Sequence, residues 1–119
     1  MISLKQPSEP FGIELPYGVT VTVNPLTTTA MAAAQAGARR RVEAVEGQVR
    51  DRKESGLPLD GLPELSNEEE RDGFLQCQVV YELATRQIIA WIGIEDDPPV
   101  SRDNIIAVMD LYPVGEQFL

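Results

Sequence analysis

Apolar and polar residues alternate near the start of the chain and then change period. Phe11, Ile13 and Leu15 are separated by Gly12 and Glu14, and Val19, Val21 and Val23 by Thr20 and Thr22. A period of two is that of a half-buried strand. Pro16-Tyr17-Gly18 lies between the two runs, with Pro fixing φ and Gly allowing positive φ for a turn. Residues 1–25 therefore read as β, with a hairpin over roughly residues 11–23. Two strands alone are marginal in water. Nothing else in the sequence reads as a strong strand, so the hairpin is expected to lean on a helix or to pair with another chain.

After Asn24-Pro25-Leu26 the period becomes helical. Thr27 or Thr28 can cap a helix over residues 27–53. Met31, Ala34, Ala38, Val42, Val45 and Val49 give it one narrow apolar stripe. Gly37 and Gly47 cost it stability unless a neighbour packs closely there. Residues 54–66 have loop composition, with leucines at 57, 59, 62 and 65 expected to tether the connection to the core. Ser66-Asn67-Glu68-Glu69 matches a capping box. A second helix is predicted over 67–91, its stripe running Phe74, Cys77, Tyr81, Ala84, Ile88 and Trp91. Leu75, Val79, Val80, Leu83 and Ile89 widen that stripe beyond what one small neighbour covers, which makes this the central helix. Ser101 can cap a third helix within 101–112, Pro113 ends it, and Val114–Leu119 can add a final turn. The expected fold is α+β and mainly α: an N-terminal β-hairpin, two long antiparallel helices and a short C-terminal helix in one domain over 1–119.

Composition narrows the function. The 119 residues carry 19 acids and 10 bases, for a net charge of -9 with no histidine. Phosphate repulsion then argues against nucleic acid or an anionic membrane as partner. Without histidine there is no imidazole base or histidine metal ligand, and one cysteine builds neither a disulfide framework nor a structural zinc site. Cys77 lies on the second helix's apolar stripe and reads as a buried structural thiol. The nine glycines spell no phosphate-binding loop, so no cofactor is expected. No apolar run is long enough to span a bilayer, and the opening residues lack the pattern of a signal peptide. A protein that stays in the compartment where it is made is the expectation. Glu95, Asp96 and Asp97 form the best-placed acidic cluster for acid–base work, although Pro98-Pro99 breaks any EF-hand pattern.

Charge is unevenly spread. Residues 39–53 hold six bases against three acids, whereas residues 54–119 hold fourteen acids and three bases. The first helix is thus a basic rod in an acidic protein. Its arginines are expected to face the acidic start of the second helix, or to form a docking surface for an acidic segment of a neighbouring copy.

Two blocks resemble a known pattern. The first is Val19-Thr-Val-Thr-Val-Asn-Pro-Leu-Thr, followed by a helix opening Thr28-Thr-Ala-Met. The second is Ile89-Ala-Trp-Ile-Gly-Ile94 followed by Asp97-Pro-Pro-Val-Ser-Arg-Asp-Asn-Ile-Ile-Ala-Val-Met-Asp. Together, over roughly residues 19–35 and 85–112, they resemble the tail assembly chaperones and related small tail-region proteins of siphophages, prophages and gene-transfer agents. The resemblance implies a non-enzymatic, cytoplasmic protein of a bacterial host that holds a helical tape measure protein soluble during tail assembly. A structural head-to-tail connector or tail-tube subunit is the alternative, and a small enzyme using Glu95–Asp97 a third. For a client-binding or self-associating protein, the candidate contact residues are Met31, Ala34 and Ala38 on the small-residue stripe and Arg39, Arg40 and Arg41 beside it. Trp91, Ile92 and Ile94 follow as larger anchors, with Phe118 and Leu119 at the C-terminal end. Trp91 has a competing role in the core, the usual place of a lone tryptophan in a small protein.

Overall fold

The alternating segments form β1 (Phe11–Glu14) and β2 (Thr20–Val23), joined through a tight turn at Pro16–Gly18. A computed structural model describes residues 9–59, 61–63 and 65–118; residues 1–8 of the expected β region lie outside the described residues. β1 and β2 pair antiparallel, with Ile13 opposite Val21. Val21 and Val23 are buried while Thr20 and Thr22 face outward, as a period of two requires.

The main departure from expectation lies at the end of the second long helix. That helix, α2, spans Glu68–Gln87, and the chain passes directly into a third strand, β3, at Ile88–Ile92. β3 pairs antiparallel with β2, giving the order β1-β2-β3, so the hairpin's partner belongs to the same chain. Ile89 has no opposite residue, because Thr22 faces Ala90 and Val23 faces Ile88. This bulge puts Ile88 and Trp91, three residues apart, on the same buried face. A strand thereby imitates helical spacing. Adjacent β-branched residues and the waiting edge of β2 decide in favour of the strand. The helix-to-strand junction is clasped to the residue that follows β2: Gln87 accepts from the Asn24 amide at 2.9 Å and its side-chain amide donates to the Asn24 carbonyl at 3.0 Å.

α1 spans Thr28–Ser55, with Thr27 accepting from the Ala30 amide and Gly56 closing the helix in the left-handed conformation. It runs antiparallel to α2, since Glu46 meets Arg71 at 2.9 Å near one end and Gly37 meets Glu82 further along. Ala34, Ala38 and Val42 are buried. A Cβ on Gly37 would sit 3.0 Å from a Glu82 carboxylate oxygen, so this glycine makes room for a side chain of α2. The cap of α2 is Asn67, which accepts from the amides of Glu69 and Glu70, one residue later than the expected Ser66. Of the connection's leucines, Leu57 and Leu59 are exposed and Leu62 and Leu65 half-buried, so only the last two approach the body of the protein.

α3 (Arg102–Met109) is capped by Ser101 and is followed by α4 (Val114–Phe118). The third helix is shorter than its expected span because the chain turns at Asp110, ahead of Pro113. The core joins the inner sheet face to one side of α2, α3 and α4 through Val21, Val23, Val80, Ile88, Trp91, Val108 and Val114. Trp91 donates its indole N–H to the Pro98 carbonyl at 2.9 Å. Gly93, at φ 89, lies against the Gly18 carbonyl where a methyl group would overlap, so only glycine lets the chain leave β3 there. The molecule measures 53 × 37 × 22 Å. Among the described residues, no helix is long and apolar enough to cross a membrane.

Truncating Trp91 to Ala should cost about 3–5 kcal/mol of stability, and Gln87→Ala about 0.5–1.5 kcal/mol through the lost hydrogen bond to the Asn24 carbonyl. Urea unfolding followed by far-UV circular dichroism measures both.

Candidate functional site

The wide apolar stripe of α2 predicts more than one neighbour, and the fold supplies two, α1 on one side and α3 with α4 on the other. Between α2 and the α3–α4 corner the covering is incomplete. An open groove of about 550 Å³ remains, with Val80 and Met109 along it, Cys77 and Tyr81 on the α2 wall, and Leu111 and Tyr112 on the opposite rim. Leu111 is 55% exposed and Tyr112 80% exposed. Large apolar side chains standing in water beside an apolar groove are the feature that marks an interaction surface.

The geometry of the corner holds the rim in place. Gly115 of α4 lies so close to α3 that a methyl group would overlap the Met109 carbonyl. Tyr17, at the β1–β2 turn, donates to the Tyr112 carbonyl at 2.9 Å, tying the sheet to the rim. Tyr81 donates to a carboxylate oxygen of Asp110 at 2.9 Å. Burial raises the Tyr81 phenol well above its ordinary range, reinforced by the Asp110 hydrogen bond and charge and then by Cys77. It therefore stays a neutral donor under ordinary conditions. Cys77 is exposed, contrary to the expected buried thiol: its place on the stripe is real, but it faces the open groove.

The expected contact residues divide. Ala34 and Ala38 are fully buried between α1 and α2, so they are removed from any surface role; the small-residue stripe serves close helix approach within the chain. Trp91 is in the core, as its competing role required, and Ile94 and Phe118 are partly buried against that core. None of these three is a free anchor. Met31 is half-buried beside Leu26 and Gln35 in a shallow depression. Ile92 is 68% exposed on the outer side of β3. Leu119 lies outside the described residues.

Arg39, Arg40 and Arg41 are exposed and, among the described residues, form no ion pair. The expected compensation by the acidic start of α2 is replaced by a pair of the opposite sense, Glu46 of α1 with Arg71 of α2. Glu82 is occupied by Arg86 at 3.5 Å and Arg102 at 3.3 Å. Glu95, Asp96 and Asp97 form an exposed turn after β3, and among the described residues no group of acidic, cysteine or histidine side chains is arranged to hold a metal ion. Leu111 and Tyr112 fall within the span expected for the third helix, 101–112, where nothing in the sequence marks them as exposed. What exposes them is the turn at Asp110, which carries them out of α3.

In comparisons with protein-family models, curated proteins and solved structures, nothing matches this chain.

Tyr81 gives a pH prediction. Its folded-state pKa lies above its unfolded value, so above pH about 10 the unfolded chain releases a proton that the folded chain keeps. Stability from this group is complete below that pH and is lost as pH rises further. Tyr81→Phe should show a shallower decline of stability across alkaline pH than the parent protein, measured by urea unfolding at stepped pH.

Proposed function

We propose that this protein works by binding another protein, as a phage-type tail assembly chaperone whose groove between α2 and the α3–α4 corner receives an amphipathic helix of a tape-measure-like client. The observation carrying this reading is the exposed pair Leu111 and Tyr112 beside the apolar groove formed with Val80 and Met109. An amphipathic helix buries its stripe by laying successive anchors into such a groove. A long helical client has that stripe and nowhere to bury it before a tail tube surrounds it. Asp110 and Glu116 stand at the groove, which favours a client helix flanked by basic residues. The chain's net charge of -9 keeps a complex with exposed apolar surface dispersed. The likeness of residues 19–35 and 85–112 to the chaperone pattern supports the same reading, with no bond made or broken in the process.

One feature favours the second reading, a structural connector or tail-tube subunit: β3 leaves an outer edge that a neighbour's sheet could extend around a ring.

Co-expression with a tape-measure-like protein should raise the soluble fraction of that client, and Leu111→Asp or Tyr112→Asp should each weaken binding by about 2 kcal/mol or more, as central interface residues do. Calorimetric titration with a client helix measures the affinity. No rise in client solubility, or full affinity in both variants, refutes the groove as client site; closed rings by light scattering favour the structural subunit.

A further inference from the structure

A depression of about 320 Å³ lies between α1 and α2, lined by Gly37, Arg40, Arg41, Ala44, Glu82 and Arg86. None of these residues lines the apolar groove. Gly37, with no side chain, opens the α1 wall and leaves room for Glu82. The Glu82 side chain is 13% exposed and already holds two guanidinium groups, Arg86 at 3.5 Å and Arg102 of α3 at 3.3 Å. Arg102 also donates to the Thr85 hydroxyl at 3.5 Å. Arg86 and Arg102 are thereby held in place with their side chains half exposed.

Arg40 and Arg41 complete the wall and stand in solvent. Among the described residues neither forms an ion pair. Inside the depression they meet Arg86 and a carboxylate that two other arginines have taken. Four guanidiniums from three helices thus stand around one acid, in a chain whose net charge is -9. Like charges gathered in one place repel, and this place is short of carboxylate. A guanidinium takes a carboxylate through two parallel N–H bonds, which makes such a cluster selective for that group.

We propose that this depression receives an acidic segment of a different protein, its neighbouring Asp or Glu carboxylates set against Arg40 and Arg41. Charge complementarity identifies the occupant. Single-stranded nucleic acid needs a surface on which its bases stack, and no aromatic side chain lines the depression. The net charge of -9 repels an extended phosphate chain or an anionic membrane. A second copy brings that same net charge, and its Glu68, Glu69 and Glu70 lie in the first turn of α2, where the helix dipole already favours them. A peptide segment presents a few acids at one place without the rest of an acidic protein. The site is separate from the apolar groove and does not rest on the client reading.

Fluorescence anisotropy of the full chain with a labelled glutamate-rich peptide tests this, with the glutamine counterpart as control. The glutamate peptide should bind, more weakly as salt rises, and the glutamine peptide should not. Arg40→Ala combined with Arg41→Ala should weaken binding about tenfold or more, with unchanged helix content by circular dichroism. Arg39→Ala, outside the depression, should leave the affinity within about twofold. Leu111→Asp should also leave it unchanged, so failure here and failure of the client groove are told apart. No preference for glutamate over glutamine, or an equal loss from Arg39→Ala, overturns the proposal. So does tighter binding of a single-stranded oligonucleotide of equal charge, or a parent dimer that the double alanine variant turns into monomer.

Discussion

The fold depends on the clasp between Gln87 and Asn24. At this point a long helix becomes a strand with no intervening loop, and Gln87 is the buried polar residue identified among the described core residues. Its backbone carbonyl and side-chain amide are both used by Asn24. A buried amide left unpaired costs more than a hydrogen bond returns, so the two bonds fix the junction to one geometry. That geometry sets the end of α2 and aims β3 along β2. The end of α2 and the end of β2, 63 residues apart in sequence, are thus locked together where the sheet begins.

Once the junction is fixed, the sides of α2 have different fates. The side toward α1 is closed by small residues, where Ala34 and Ala38 allow close packing and Gly37 admits the Glu82 side chain. The side toward the sheet is closed by branched aliphatics and Trp91. The remaining side meets α3 and α4, two short helices separated by the Asp110–Pro113 corner. They cover Val80 but cannot reach Cys77 or Tyr81 completely, and the rim formed by Leu111 and Tyr112 projects instead of folding down. The groove follows from a mismatch in length between one long helix and two short ones.

Much of this was legible in the sequence, and the misreadings share a cause. Strict alternation at Val19–Val23, the alanine-rich stretch after Thr27 and the Ser101 cap are local signals, and local signals identified the hairpin and the helices. The assignment of Ile88–Ile92 failed because a bulge inserts one residue into a strand, turning spacing of two into three and matching the helical stripe ahead of it. Cys77 was placed inside because a stripe says which side of a helix is apolar, not how far a neighbour extends over it. The same gap in information hid Leu111 and Tyr112. The pairing of Arg71 with Glu46 was beyond a count of charges per segment, because antiparallel packing matches individual positions and not averages.

The exposed apolar residues are divided between two distinct places, and this division constrains what the protein can do. At the groove, the apolar surface is concave, rimmed by Asp110 and Glu116, and suited to side chains from a helix. At β3, it is an extended strand edge on which Ile89 and Ile92 are exposed. A concave groove rewards a partner that brings anchors, whereas a strand edge rewards one that brings backbone, so one ligand is poorly matched to both. Net negative charge opposes close approach of two copies in most orientations. The two surfaces therefore differ in shape and in lining: an apolar strand edge at β3, and a concave groove with Asp110 and Glu116 beside it.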